Sequence, residues 1–361
     1  MSSMLGKRIK VSIFGESHGQ GIGVVIDGIP AGERIDKKVL QKFLDKRAPG
    51  HMAHQTSRYE SDTPEFLSGI LGGVTTGAPI CAFIRNENTL SSDYEKFCDI
   101  PRPSQADYSA HLRYNGFNDI RGGGHFSGRL TAPLCIAGGL ALQILARRGV
   151  FIGAHIASIE TVEDVKFDPV SVCAAELKSI AAKTFSVIDD HVGVAMINII
   201  ENAYMQQDSV GGIIECAVVG YQGGVGTPIF DGMENRLASA IFGIPAVRGI
   251  EFGAGFASAY MRGSVHNDAY TINNGNVRTK TNHHGGIIGG ISTGMPILLR
   301  VAVKPTPSIR QKQNSVSLSH MKEVTLEITG RHDPCIVPRA VPCVEAVVGI
   351  VLLDMLLCEQ E

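Results

Sequence analysis

The sequence contains no tryptophan, and aromatic residues make up only 6% of its 361 residues. It has no basic block, because 33 Lys and Arg stand against 35 Asp and Glu, for a net charge of −2. Duplex nucleic acid binds to a sustained cationic face, so this composition argues against nucleic acid as a partner. No apolar run reaches the ~18 residues of a membrane span, and residues 1–10 lack the apolar core of a signal peptide. We therefore expect a cytoplasmic protein without a membrane partner.

Metal and dinucleotide signatures are also missing. The eight cysteines include no C-x-x-C pair, which argues against a zinc site and favours buried, reduced thiols. His283-His284 and His332-Asp333 have no spacing typical of metal ligands, so we expect no metal. No G-x-G-x-x-G follows a strand with an acidic residue ~20 positions later, so a Rossmann nucleotide site is not predicted.

Glycine is abundant instead, with 42 residues or about 12% against a usual ~7%. Part of it lies in a repeat: residues 72–80 read GGVTTGAPI and residues 289–297 read GGISTGMPI. A strand-like run follows each copy, and an amphipathic stretch precedes each one, at 36–44 and 231–242. Coincidence between two glycine-rich loops is one explanation, and a duplicated α+β unit is the other.

Two segments, 130–148 and 345–357, are apolar on nearly every face. A helix of this kind must be buried on all sides. Two such helices favour a central helical layer between sheets. We therefore predict an α+β fold, a single-domain sheet–helix–sheet (β-α-β) sandwich with internal pseudo-duplication, its halves spanning roughly 9–150 and 190–357.

Two glycine-rich motifs could carry chemistry. Gly15-Glu16-Ser17-His18-Gly19 follows a strand-like run and places Ser17 and His18 on a tight turn, where a turn histidine without a catalytic role is the alternative. Arg121-Gly122-Gly123-Gly124-His125-Phe126-Ser127-Gly128-Arg129 leads into an apolar helix. Backbone N–H groups at such a helix start favour an anion, whereas a plain hinge before the helix would need no ligand.

The remaining motifs combine proline with charge. Lys304-Pro305-Thr306-Pro307-Ser308 is an extended, proline-fixed segment. Residues 330–335 and 338–340 read GRHDPC and PRA, which we interpret as a loop before the last helix. Exposed loops are the simpler interpretation of either segment. Arginines in Pro/Gly contexts, at 47, 58, 102 and 339, provide planar forks for phosphate or carboxylate.

Together and in this order, the motifs from Gly15-Glu16-Ser17-His18-Gly19 to Pro338-Arg339-Ala340 resemble those of chorismate synthase over essentially the whole chain. The resemblance implies a lyase that removes phosphate and one ring proton from 5-enolpyruvylshikimate 3-phosphate, with reduced FMN as cofactor. It also implies a homotetramer, and the absence of large insertions resembles the bacterial form that receives reduced flavin from an external reductant.

The resemblance also assigns residues by motif position. His18 corresponds to the histidine that protonates the departing phosphate, a task that suits its ordinary pKa of ~6.5. Asp333, with Ser17 as a relay, corresponds to the acceptor of a proton from flavin N5. The implied substrate clamp consists of Arg47, Arg102, Arg129 and Arg339. The implied FMN contacts are His125, Phe126, Ser127, Pro245, Ala246, Gly289, Lys304, Pro305, Thr306, Pro307, Ser308 and Arg331.

Three positions depart from the family pattern. Gln105 stands where the family usually has a second catalytic histidine, and it can donate a hydrogen bond to an anionic flavin but supplies no proton. His111 and His125 are the candidates to replace that histidine. Ala48 and Ala53 stand where relatives commonly carry arginine, which predicts a thinner clamp. Two rival functions remain: an inactive paralogue that binds FMN or a shikimate-pathway ligand, and a flavin or phosphate enzyme of another class, such as a reductase.

Overall fold

A computed structural model describes residues 3–49, 60–86, 92–328 and 333–359. Its strands are β1 (Met4–Leu5), β2 (Lys10–Gly15), β3 (Gly21–Asp27), β4 (Glu65–Ser68), β5 (Ile70–Leu71), β6 (Val74–Thr75), β7 (Ile80–Arg85), β8 (Phe151–Ile159), β9 (Val162–Glu163), β10 (Gly212–Val219), β11 (Val247–Phe252), β12 (Tyr270–Asn273), β13 (Asn276–Thr279), β14 (Ile287–Ile288), β15 (Ile291–Ser292), β16 (Ile297–Val303), β17 (Gln313–Ser317) and β18 (Lys322–Leu326).

Its α-helices are α1 (Lys37–Arg47), α2 (Asp107–Tyr114), α3 (Thr131–Arg147), α4 (Ala174–Ala182), α5 (Asp190–Met205), α6 (Met233–Ile241), α7 (Gly263–His266) and α8 (Val337–Cys358). Short 3₁₀ turns cover Ser92–Cys98, Arg121–Phe126, Gly128–Leu130 and Gly255–Tyr260. This mixture of helices and antiparallel sheets confirms the predicted α+β class.

Two five-stranded sheets form the framework, with strand orders β1-β2-β3-β7-β4 and β11-β16-β10-β8-β9. The helix α3 packs against β3 and β7 of the first sheet and β8 of the second, and α8 packs against α3, β8 and β10. The amphipathic helices α1 and α6 flank this pair. Side chains from both sheets and from α3 and α8 therefore share one hydrophobic core.

The last helix starts earlier than the sequence predicts. We expected a loop at 338–340 and a helix from 345, but α8 already begins at Val337. Pro338 is compatible with the first helical turn because its missing N–H would have no partner there. Every residue from 340 to 357 is buried, as an apolar helix of this kind requires.

Residues 128–147, which include α3, and the helix α8 are long and apolar enough to cross a membrane, by length and composition alone. Within the protein, however, 83% of the most apolar 18-residue stretch of 128–147 and 94% of that of α8 are buried. The partners that cover them are the two sheets and α1 and α6, which are the surroundings of core helices.

The two copies of the glycine repeat adopt the same local structure. In each, two glycines connect a short hairpin, β5–β6 or β14–β15, and the next long strand follows, β7 or β16. The turn glycines have φ of +56° and +79° at Gly72 and Gly73, and of +63° and +83° at Gly289 and Gly290. Two-residue hairpin turns of type I′ have positive φ at both central positions, values that glycine adopts without steric cost.

Candidate active site

A cleft of about 800 Å³ lies between several segments of the chain. They are residues 121–129, which we call the glycine loop, together with α2, the start of α8 and the segments 242–248 and 304–308. Its volume is in the range of ligand sites, roughly 300–1,000 Å³. All four predicted clamp arginines and both Gln105 and Asp333 line it. The topology therefore brings together motifs that are as far apart in sequence as 47 and 339.

The glycine loop presses directly on the Ser17-His18 turn. Gly122, Gly123 and Gly124 have φ of +61°, +84° and +53°, backbone angles that residues with a side chain rarely adopt. A Cβ on Gly122 would lie 2.4 Å from His18 Cδ2 and 2.7 Å from Ser17 Oγ. The Ser17 N–H also donates to the Gly124 carbonyl at 3.1 Å. Only a residue without a side chain fits against this turn.

Ser17 and His18 form the layer behind that loop and are 1% and 8% exposed. The His18 ring stands edge-on to Tyr94, with ring centres 5.1 Å apart. Ser17 Oγ, by contrast, is buried and has no hydrogen-bond partner among the described residues. This hydroxyl can therefore take part in a new hydrogen bond.

Arg47 and Arg129 converge on one carboxylate, Asp62, which pairs with both guanidiniums. Glu60 adds a second carboxylate at 2.5 Å from Arg129 Nη1 and 3.7 Å from Arg47 Nη2. Burial alone would raise the pKa of Asp62, but Arg47 and Arg129 outweigh it and hold this pKa below its usual value. The two arginines are thus charge-balanced and oriented by carboxylates.

The other two clamp arginines are also held by carboxylates. Asp107 accepts two hydrogen bonds of 2.8 Å from the Arg102 guanidinium, which also lies 4.7 Å from the Phe97 ring centre. Arg339 pairs with Asp333 and donates from Nε to the Arg47 carbonyl at 2.9 Å. Each arginine therefore has a fixed direction, as a bidentate fork requires.

The 304–308 segment closes the cleft against the loop that precedes α2. Lys304 Nζ donates to the Ser104 carbonyl at 2.6 Å, and Gln105 Nε2 donates to Ser308 Oγ at 3.1 Å. Burial and the neighbouring Arg248 lower the pKa of Lys304. Among the described residues neither Lys304 nor Arg248 forms an ion pair with a carboxylate, so these two supply the net positive charge of the cleft.

Among the predicted cofactor contacts that the structure describes, all but two line the cleft. His125, Phe126, Ser127, Pro245, Ala246, Thr306 and Pro307 are lining residues. Pro305 is exposed and packs beside Gly211. Gly289 is exposed in the β14–β15 turn and does not line the cleft. Arg331, His332 and Ala53 lie outside the described residues, and Ala48 is fully buried.

His125, one candidate to replace the family's second histidine, lines the cleft and is hydrogen-bonded through its ring. Its Nδ1 lies 2.9 Å from the Gly15 carbonyl and its Nε2 lies 2.8 Å from Ser3 Oγ. Both ring nitrogens are therefore engaged within the protein. His111, the other candidate, lies in α2 and is not a lining residue.

Sequence reasoning did not find the carboxylates that orient the clamp, Glu60, Asp62 and Asp107, or the cation Arg248. Asp62 is separated from Arg47 by 15 residues and from Arg129 by 67. No local pattern identifies such a partner. One available signal was that a buried arginine requires a buried carboxylate.

Three buried side-chain polar atoms have no hydrogen-bond partner in the described part of the chain: Ser17 Oγ, Arg47 Nε and Thr306 Oγ1. Arg47 and Thr306 line the cleft, and Ser17 lies directly behind its glycine loop. Buried polar groups are normally satisfied, and an unpaired one costs about 1–3 kcal/mol. The unsatisfied polar groups thus concentrate where a polar ligand would complete them.

Comparison with known proteins agrees with this site. The family model described as chorismate synthase matches residues 9–357. The chain is 48% identical to a chorismate synthase of Pyrococcus abyssi, over 98% of this chain and 97% of the relative. It is 46% identical to one of Dehalococcoides mccartyi, over 99% and 97%. A solved structure titled "Crystal Structure of Chorismate Synthase" is similar with a TM-score of 0.78 and 27% identity, over 98% of this chain and 93% of that one.

Proposed function

This chain belongs to the chorismate synthase family and is a lyase that acts on a phosphate ester in aromatic biosynthesis, and we therefore propose that its cleft binds reduced FMN together with 5-enolpyruvylshikimate 3-phosphate. The reaction is a 1,4-elimination: the ring C–H bond and the C–O bond to phosphate break, and chorismate and inorganic phosphate form. Two carboxylates and one phosphate give the substrate about four negative charges.

The arginine forks suit a ligand of this charge. Arg47, Arg102, Arg129 and Arg339 line one cleft, and their carboxylate partners fix their directions. Because these pairs are balanced, attraction of an anion depends on the excess charge of Lys304 and Arg248 and on Arg47 Nε, which has no partner in the described chain. Preoriented donors of this kind stabilise an anion without reorganisation.

FMN fits the residues on three grounds: the size of the cleft, the positive-φ glycines, and the unpaired Ser17 and Thr306 hydroxyls. When bound, reduced FMN would supply electron density to the substrate as phosphate leaves. The residues that would hold it are His125, Phe126, Ser127, Pro245, Ala246, Lys304, Thr306, Pro307 and Ser308, with Gly289, Pro305 and Arg331 retained from the family pattern alone.

The chain's own proton carriers surround this cleft. His18, behind the glycine loop, would protonate the leaving phosphate. Asp333, which is paired with Arg339, would accept the proton from the flavin, and Ser17 would relay it. Gln105 would hold an anionic ring through its amide N–H, at the expense of its bond to Ser308.

The concentration of unpaired buried polar atoms at the cleft is the observation that carries this proposal. The test mixes the protein with photoreduced FMN and enolpyruvylshikimate phosphate without oxygen and measures phosphate and chorismate. We expect both products from the wild-type chain and a sharp loss of phosphate release from His18→Ala. Near-normal phosphate release by that variant would refute the proton-donor role.

The inactive-paralogue alternative rests on Gln105. It predicts that oxidised FMN binds and that no chorismate forms in the same assay, so chorismate formation eliminates it. A reductase would instead consume NADPH in the presence of oxidised FMN. We expect no such consumption, because we propose an external source of reduced flavin, and NADPH-dependent reduction would contradict that part of the proposal.

We also propose that the protein is a cytoplasmic homotetramer without nucleic-acid or membrane partners. All eight cysteines are free, which is typical of a reducing compartment. Phe230, Phe256 and Tyr260 are 91%, 83% and 92% exposed, and in the proposed tetramer such side chains would be covered by neighbouring subunits. Light scattering after gel filtration tests this, and a monomer at micromolar concentration would contradict it.

The finer architecture belongs to the same proposal: a single-domain sheet–helix–sheet sandwich with duplicated halves at about 9–150 and 190–357. Its support is the matching neighbour order β3-β7-β4 in the first half and β10-β16-β11 in the second. The glycine hairpin precedes β7 in the first half and β16 in the second, and a central helix follows each of these strands.

A further inference from the structure

Two cysteines face each other between the central helices. Cys135 of α3 donates a hydrogen bond to Cys343 of α8, with the two sulfurs 3.8 Å apart. The helices approach closely one turn further on, because a Cβ on Gly138 would lie 2.3 Å from the Ala346 Cα atom. Bulkier residues would separate the helices here, so the close contact holds the two thiols together.

The two thiols differ in access. Cys343 lines the cleft, whereas Cys135 is fully buried behind it and does not line it. A small reagent that enters the cleft therefore meets Cys343 first. Once Cys343 has reacted, Cys135 is the nearest sulfur from which the second step can start.

The surroundings also divide the thiols into a nucleophile and a resolving group. The hydrogen bond from Cys135 and the positive charges of Arg47 and Arg339 lower the pKa of Cys343, against the effect of burial. Burial raises the pKa of Cys135, and the nearby Asp62 adds to this. In its thiol form Cys343 donates to the Arg339 carbonyl at 3.4 Å, a bond that ionisation gives up.

We propose that Cys343 and Cys135 form a reversible, hydroperoxide-driven disulfide at the floor of the cleft. In the first step the Cys343 thiolate attacks a hydroperoxide oxygen, the O–O bond breaks, and Cys343 sulfenic acid and a hydroxide or alkoxide ion form. In the second step the Cys135 sulfur attacks the sulfenic sulfur, and water leaves with the Cys135 proton. The peroxide is reduced by two electrons, and the two thiols are oxidised.

The bond would join two sulfurs that are already in hydrogen-bond contact. The sulfurs must close from 3.8 Å to about 2.05 Å, the length of a disulfide. Cys343 is itself only 3% exposed, so the reagent must be small enough to reach it through the cleft. A reactive thiol beside a resolving cysteine is the arrangement that redox sensing uses in reducing compartments. The oxidation of these thiols requires the cleft but no flavin, so its test gives a result that does not depend on the proposed function.

The test exposes the reduced, full-length protein to hydrogen peroxide, blocks free thiols under denaturing conditions, and maps the peptides by mass spectrometry. We expect one Cys135–Cys343 linked peptide, the loss of two thiols per chain, and recovery of both with dithiothreitol. Oxidation of the exposed Cys98 or Cys173 while Cys343 remains reduced would overturn the proposal.

Single variants separate the two roles. In Cys135→Ser, dimedone should label Cys343 as a trapped sulfenic acid, whereas in Cys343→Ser oxidation of Cys135 should slow by about tenfold or more. Cys216→Ser, which removes a buried thiol of β10, should still form the linked peptide and is the matched control. Equal rates of Cys135 oxidation with and without Cys343 would refute the order of the steps. The wild-type mapping decides the proposal even if a variant fails to fold.

Discussion

The glycine loop offers the sharpest test of the site, through Gly122→Ala. The new Cβ would lie 2.4 Å from His18 Cδ2, 2.6 Å from His18 Nε2 and 2.7 Å from Ser17 Oγ. Carbon atoms in ordinary contact are ~3.5–4.0 Å apart, so the loop or the two side chains must move by about 1 Å. A displacement of this size in a catalytic array costs about 100-fold in rate, or about 3 kcal/mol of barrier.

Gly123→Ala is the matched control for backbone strain. Gly123 also has a positive φ, of +84°, but its nearest neighbour to a new Cβ is the Ser127 Cβ at an ordinary 3.6 Å. Both variants should lose about 1 kcal/mol of stability, because alanine is strained at positive φ. Only Gly122→Ala should also displace Ser17 and His18.

The assay compares kcat/KM of the two variants in the anaerobic chorismate assay with photoreduced FMN, and their melting temperatures alongside. We expect a lower melting temperature for Gly122→Ala than for Gly123→Ala, because only the former adds a steric clash to the strain. With both variants folded at the assay temperature, kcat/KM should fall about 100-fold below wild type for Gly122→Ala and clearly less for Gly123→Ala. If the two lose activity equally, or if Gly122→Ala stays within about threefold of wild type, the loop does not position the Ser17-His18 turn.

Three further predictions concern buried carboxyls and Gln105. Burial raises the pKa of Glu345 to about 7, so the folded state favours the neutral carboxyl, and its stability falls as the pH rises from the ordinary carboxyl pKa toward 7. In urea unfolding, Glu345→Gln should therefore raise the free energy of unfolding by up to about 3 kcal/mol at pH 8 and by much less at pH 5. Equal gains at both pH values would contradict this. Asp354 is fully buried, accepts hydrogen bonds from the backbone N–H groups of residues 7–9 and pairs with Arg236. Asp354→Ala should lower the free energy of unfolding by about 3–5 kcal/mol in the same experiment. A loss below about 1 kcal/mol would show that Asp354 does not anchor the N-terminal segment. Gln105→His should raise turnover by about tenfold in the anaerobic assay if a proton donor is missing there; unchanged turnover would remove that argument.

Much of the local structure could be read from the sequence because hydrophobic periodicity reports burial directly. The apolar run at 130–148 became α3 (Thr131–Arg147), and the amphipathic stretches at 36–44 and 231–242 became α1 and α6. Prolines obscured the start of α8, since Pro338 and Pro342 suggest a loop although both lie within the helix. The helix α5 carried no signal that we singled out.

The cysteines show the limit of composition. We expected buried, reduced thiols, and all eight are free, but Cys98 and Cys173 are exposed and Cys81 and Cys358 are half-buried. Composition indicates the redox environment of a chain but not the position of each thiol. That position depends on which sheet or helix face covers it.

Residue type, spacing and local periodicity were enough to identify the family, the α+β class and most of the motifs that meet at the cleft, but they did not identify Glu60, Asp107 and Arg248 in its lining. Only the tertiary structure decided the partners: Asp62 between Arg47 and Arg129, and Cys135 against Cys343, 208 positions apart. The physical reason is that a buried charge or thiol interacts with whatever the packing of distant elements brings within a few ångströms. No local pattern records that choice.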